Sequence, residues 1–410
     1  MKRLLDKLAD GLLSGRAGLI LFTLLGVSLF TSEAFSRNMV RLILVLFIFL
    51  LIMRRDMLAS LRPYRLFAAG MLAIVLMQMV SALNGGNFWE IVNSNIFWYN
   101  YNMLLPFAFL LLVRKKEHLR YIWWGMILSV LVNDFYFFWQ SCHGVMRPES
   151  LLREMPIVPG TIYCIMLPGL FVAALRAETS KLRIFYGCNW LLGMLAAFLS
   201  NTRGVWLALL VVLAALAIHE FRRSSWRQVA AYGCAAFVVL GALTMAVTQQ
   251  EKRVDSVIHS EREGSVIERY YGYEGALLMA QDYPLFGVGM GNFKEYYAIS
   301  YKPAPARQNL FHAHNLFLTV LAESGIPGFL ILSACFLYFV FWGLRRLGNH
   351  YGLMFLSATI CVFIYSMTDY LWLAYGAWRF YWIYMGFCLK GYELTARGVD
   401  KTNGHVGDEH

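Results

Sequence analysis

"MVRLILVLFIFLLIMRRDMLASLRPYRLFAAGMLAIVLMQMVSAL", residues 39–83, holds two apolar runs, 39–53 and 66–83, separated by a connection carrying Arg54, Arg55, Arg62 and Arg65. A helix needs about 20 mostly apolar residues to cross the roughly 30 Å hydrocarbon layer of a bilayer. Each run approaches that length. An arginine at the bilayer centre costs about 2.5–3.5 kcal/mol on insertion scales, so the basic connection belongs outside the hydrocarbon. The stretch therefore reads as two membrane spans joined by a loop at one surface.

Working outward, similar runs recur near 17–33, 99–113, 119–139, 157–175, 184–199, 204–219, 228–247, 326–343, 351–368 and 371–389. The 410 residues are 59% hydrophobic and 15% charged, against about 25% charged in a soluble domain. The expected fold is an all-α polytopic integral membrane protein with about twelve transmembrane helices. Lysine and arginine gather on alternate connections, at 54–65, 114–120, 176–183, 220–227 and 345–350, while 83–98 has none. That bias places the basic loops and both termini in the cytoplasm. The net charge of +11 thus sets topology and meets anionic headgroups of membrane lipids; no nucleic-acid partner is expected. The opening "MKRLLDKLADGLLSGR" suits a short amphipathic helix on the membrane, and with no small-residue cleavage site behind the first span no cleaved leader is expected. Cys164, Cys188, Cys234, Cys335, Cys361 and Cys388 lie in or beside apolar runs, and Cys142 in an outer loop, with no disulfide framework or CxxC pattern.

This count divides the chain into 1–247 with about nine spans, 248–325 as an outer helical loop with a His-bearing helix, 326–390 with the last three spans, and a cytoplasmic tail at 391–410. The outer face then receives Arg203 in "SNTRGVW" (200–206), the loop residues Arg253, Arg262, Arg269 and Arg307, and the pair His312 and His314. A guanidinium fork fits phosphate oxygens two at a time, and a histidine with unperturbed pKa near 6.5 can take a proton from a hydroxyl. An outward cavity of this kind suits a lipid diphosphate whose tail stays in the bilayer. The plainer reading is that the loop arginines pair with Glu261, Glu263, Glu268 and Glu274 on a solvated face. Arg269 is set apart by the apolar and aromatic residues around it, Val266, Ile267, Tyr270, Tyr271 and Tyr273. His312 and His314, two apart, would diverge on a helix and do not form the i, i+4 pair of a zinc helix. "GVGMG" (287–291) follows no βαβ pattern, so close backbone packing or a loop near substrate suits its glycines. Asp134, Asp369 and Arg379 are ionisable residues in spans near outer ends, and Asp369 is a candidate to pair with Arg379, orienting helices.

"HNLFLTVLAESGIPG" (314–328) is similar to the His-Asn-x9-Gly-x-x-Gly pattern of bacterial O-antigen ligases. "TRG" (202–204) and "SVIERYYGYEGALLMAQDYPLFGVGMGNF" (265–293) resemble the superfamily's two other marked segments, in the same order. The plan of about twelve spans with one large periplasmic loop before the His segment also resembles the family. Phe329 departs from the threonine that ligases often carry after the second glycine. The resemblance implies a GT-C-like glycosyltransferase of the inner membrane, with its active site facing the periplasm and no cofactor or metal. It implies transfer of O-antigen from an undecaprenyl-diphosphate-linked donor to a lipid A–core acceptor in lipopolysaccharide biosynthesis. By position it makes His314 the general base and gives Arg203 and Arg269 the diphosphate contacts. Asp369 becomes a supporting residue; Asn315, His312 and Arg379 join it as supporting candidates, His312 without a motif match. An O-antigen polymerase using the same donor is the rival reading, although the compact loop and modest length favour ligase. A lipid-linked glycan transporter would spread charge along an inner cavity, whereas the polar groups here gather on one face.

Overall fold

The computed structural model describes residues 16–85, 88–97, 100–145, 148–152, 157–200, 202–221, 233, 251–371 and 374–403. Every regular element among them is helical. The principal helices are α1 (Arg16–Ser28), α2 (Glu33–Met53), α3 (Arg65–Asn84), α4 (Leu105–Leu112), α5 (Lys116–Cys142), α6 (Ile157–Leu175), α7 (Ser180–Leu199), α8 (Arg203–Phe221), α9 (Glu251–Asp282), α10 (Leu316–Leu344), α11 (His350–Ser366) and α12 (Tyr375–Asn403).

Among the described residues seven helical stretches are long and apolar enough to cross a membrane: Glu33–Met53, Arg55–Asn84, Lys116–Cys142, Val158–Leu175, Ser180–Leu199, Arg203–Glu220 and Leu316–Leu344. The chain is a multi-pass membrane protein. Three of the twelve expected spans, Arg16–Ser28, Tyr101–Leu112 and His350–Ser366, are shorter apolar helices. At 1.5 Å per residue a 13-residue helix reaches only about 20 Å. The expected ninth span, 228–247, apart from Gly233, the amphipathic start and the end of the tail lie outside the described residues.

The membrane reading is visible on α2. Val40, Ile43, Leu44, Phe47 and Leu50 are buried, while Leu42, Val45, Ile48, Phe49 and Ile52 form an exposed apolar stripe. In water that stripe would cost about 25 cal/mol per Å²; against lipid tails it costs nothing comparable. By contrast α6 is the central helix, with 94% of its span buried. Trp382, Tyr381 and Tyr384 of α12 fill the core beside it. One end of α12 is tied to α2 by Arg379, whose Nη1 and Nη2 donate to Glu33 at 2.8 and 2.7 Å. The candidate pairing of Arg379 with Asp369 is thus replaced by a bidentate fork to Glu33, on a distant part of the chain.

The break in α10 organises the site. Pro327 has no N–H to give the carbonyl of Glu323, and in a continuous helix its ring would clash with that carbonyl. The helix interrupts at Gly325, with φ 68° and ψ −170°. The freed groups find partners in the turn that follows α9. Val288 N–H donates to the Ala322 carbonyl at 2.9 Å and Gly289 N–H to that of Glu323 at 3.1 Å, while Ile326 N–H donates to the Pro284 carbonyl at 2.8 Å. The backbone N–H groups of Gly291 and Phe293 bear on the buried Glu323 carboxyl group. The end of α3 closes the other side: Ser81 Oγ donates to the Glu323 carbonyl at 2.5 Å, and Asn84 Nδ2 to the Gly287 carbonyl at 2.9 Å. The glycines of "GVGMG" therefore serve close backbone packing.

A Cβ on Gly287, at φ +68°, would lie 2.2 Å from the Glu323 carbonyl carbon. Gly287→Ala is expected to lose about 2 kcal/mol or more of stability, through both the left-handed backbone and the collision. Thermal unfolding of the purified protein in detergent measures it; an unchanged midpoint would show that the turn docks elsewhere.

Candidate active site

The site begins with a helix cap. Asn315, at φ −155° and ψ 120°, is the N-cap of α10, and its Oδ1 accepts from the N–H groups of Phe317 and Leu318 at 2.9 and 3.1 Å. That use of Oδ1 orients the amide, and Nδ2 donates to the Met367 carbonyl at 3.1 Å. Thr319 Oγ1 donates to the Asn315 carbonyl at 2.8 Å and accepts from Ala313 N–H at 3.1 Å. Residues 313–319 are thereby folded onto the first turn of α10 and hooked to the connection between α11 and α12.

His314 sits just before this cap. Its buried Nδ1 lies 3.5 Å from Oδ1 of Asp369, and the side chains are 29% and 7% exposed respectively. The acid is behind and the other edge of the imidazole faces the open side. Asp369 Oδ1 accepts from Tyr370 N–H at 2.8 Å. Burial pushes the Asp369 carboxyl up, but His314 and the Tyr370 N–H outweigh it and hold the group below the usual carboxylate range. An ionised carboxylate beside Nδ1 favours the tautomer with its proton there, leaving Nε2 free to accept one.

His312 is buried, with its ring 4.5 Å from that of His314 and 5.1 Å from that of Tyr370. The two histidines precede α10, so the helical divergence expected of them does not arise. Donor atoms of His312, His314 and Asp369 lie within 4.8 Å of one another. A cation fits this set poorly: Nδ1 of His312 already accepts from the His314 N–H at 3.1 Å, and the Arg269 charge also bears on His312. The arrangement suits a hydrogen-bonded base.

Two further helices carry the arginines. Arg269, half-buried on α9, bears electrostatically on Tyr273 and His312, and Tyr273 Oη donates to the Met367 carbonyl at 3.4 Å. Arg203 is exposed at the first position of α8. The next residue, Gly204, has Thr368 Oγ1 and Tyr365 packed where a Cβ would stand. All three marked segments therefore meet the connection at 365–370. Among the described residues neither Arg203 nor Arg269 has a carboxylate within ion-pair distance. Glu268, a residue offered as an arginine's partner, uses its carboxylate on the backbone N–H groups of Arg307 and Gln308 at 2.7 and 3.2 Å. Arg307 itself is exposed, and the side chains of Arg253, Arg262, Glu261 and Glu263 lie outside the described residues. Asp134 belongs to helix packing, accepting from Tyr163 Oη at 2.7 Å across α5 and α6. Sequence reasoning passed over Glu323, although a lone acid in an apolar run is a signal, and over the Met367 carbonyl, for which no side-chain signal exists.

Residues 188–333 match a protein-family model described as O-antigen ligase. The match takes in α8, α9 and the first part of α10, and so carries Arg203, Arg269 and His314. A search of curated proteins finds no match to the chain.

Burial, His314 and Arg269, against the opposite pull of Asp369, press His312 down to about 4 from its ordinary 6.5. The folded protein then binds fewer protons there than the unfolded chain between these values. Stability is full above about pH 6.5 and is lost as pH falls toward 4. Melting temperature measured across that range is expected to fall with pH in the wild type and to vary less in His312→Phe. Separately, Asn315→Ala removes the cap and the hook to Met367, at an expected cost of about 1–2 kcal/mol in the same assay.

Proposed function

We propose, on the premise that residues 188–333 form an O-antigen ligase family domain, that this protein is a glycosyltransferase of the bacterial inner membrane. It joins O-antigen polysaccharide to lipid A–core oligosaccharide, using an undecaprenyl-diphosphate-linked donor. On this reading both termini are cytoplasmic and the site opens to the periplasm. The observation that supports it most directly is His314, backed by Asp369, with Arg269 bearing on the neighbouring His312.

Arg203 and Arg269 hold the donor diphosphate, and their fixed charges stabilise the negative charge that grows on it as the bond to the sugar breaks. His314 Nε2 takes the proton of the acceptor hydroxyl, and Asp369 stabilises the imidazolium that forms. The hydroxyl oxygen attacks the anomeric carbon from the face opposite the diphosphate, so that the configuration inverts. Undecaprenyl diphosphate leaves as an anion and needs no acid. The scheme uses no metal and no cofactor.

His314→Ala is expected to lower transfer by purified protein about 10²–10⁴-fold while donor binding persists; full activity would remove the base. Arg203→Lys is expected to be severely impaired, since a point charge does not replace a bidentate fork, and a chelator is expected to leave the rate unchanged. In cells, deletion should leave core without O-antigen while carrier-linked polymer accumulates. Core capped with a single repeat unit would instead assign the protein as a polymerase.

A further inference from the structure

His314 has φ 49°, the one positive value outside glycine among the described residues. Such a conformation persists only where surrounding contacts over-determine it. The residue before it is fixed by the Ala313 N–H bond to Thr319, and the residue after it by the Asn315 cap. The remaining contact is the His314 N–H, which donates to Nδ1 of His312 at 3.1 Å. A side-chain acceptor at position i receiving the N–H of residue i+2 is the arrangement that asparagine and aspartate make in an Asx-turn. Here an imidazole occupies the acceptor's place.

We infer that His312 is a positioning residue whose neutral ring, by accepting the His314 N–H, holds the His314 backbone left-handed and so aims its imidazole between Asp369 and the open side of the site. This deepens the reading of His314 as the base and rests on it. Because Nδ1 accepts, the ring proton of His312 resides on Nε2. The ring is wedged against Tyr370, whose N–H binds Asp369, so one side chain sets the backbone of the base and touches the segment that carries its acid. Protonation of Nδ1 would abolish the bond. The charged groups that bear on the ring are His314 and Arg269, which oppose its protonation, and Asp369, which favours it. Burial adds to the opposition, and the bond is kept at neutral pH.

Two substitutions separate this role from the others open to a buried histidine. His312→Asn keeps an acceptor for the i+2 N–H and loses the ring; His312→Phe keeps a ring against Tyr370 and loses the acceptor. Both are assayed in full-length protein for donor binding, kcat and KM, beside wild type and His314→Ala. His312→Phe is expected to lower kcat roughly 10- to 100-fold through misplacement of the base, with donor binding retained. His312→Asn is expected to recover to within about threefold of wild type. The reverse order, with Phe active and Asn inactive, would reduce His312 to packing and overturn the inference. So would two inactive variants that both still bind donor, since His312 would then act through its own chemistry. Should either variant fail to fold, His312→Gln replaces Asn as the variant with an acceptor and His312→Leu replaces Phe as the variant without one; Gln no more active than Leu overturns the inference. If wild type transfers glycan to another acceptor and not to lipid A–core, the proposed acceptor falls, and the same comparison of His312→Phe with His312→Asn, made with that other acceptor, still decides the positioning role.

Discussion

A proline inside α10 sets the constraint on which the site depends. Pro327 cannot satisfy the Glu323 carbonyl, the helix opens at Gly325, and a membrane-embedded backbone group without a partner costs several kcal/mol. The turn after α9 supplies the missing partners through Val288 and Gly289, and takes the Ile326 N–H through Pro284. Helix α9 carries Arg269 and helix α10 follows His314. A backbone lock between the end of one and the break in the other therefore fixes the arginine's helix relative to the histidine's. The Glu323 carboxyl group is buried against the same turn, where the backbone of Gly291 and Phe293 bears on it.

A second junction, at 365–370, joins what the lock aligns. The Met367 carbonyl accepts from both Asn315 and Tyr273, Gly204 packs on Thr368 and Tyr365, and Asp369 stands against His314. Elements far apart in sequence thus bring His314, Asp369, Arg203 and Arg269 to the same end of the bundle. Tightly held backbone suits an arrangement in which His314 keeps a strained left-handed conformation, worth about 1–3 kcal/mol.

Much of this was legible beforehand. The apolar runs mark the helices because a hydrocarbon solvent demands length and apolarity together, and the shorter helices fall short of that length. His314, Asp369, Arg203 and Arg269 stand out because charged or titratable groups beside spans require a reason. The Glu33–Arg379 fork was not legible, since its partners lie at opposite ends of the chain and either could have paired elsewhere. Nor was the use of Glu268 on the backbone of Arg307 and Gln308: the carboxylate's identity is written in the sequence, its partner is not. Asn315 as a cap could have been anticipated from its place before an apolar run.

By itself the sequence determined that this chain crosses a membrane repeatedly, and it marked Arg203, Arg269 and His314 as polar residues beside apolar runs. Those outcomes follow from local chemistry: apolar length and the cost of buried charge. Only the tertiary structure decided which carbonyl each freed N–H would find, that Asp369 backs His314 and not Arg379, and that His312 meets His314 through its backbone. Each of these is a choice among chemically equivalent partners, and packing in three dimensions alone makes it.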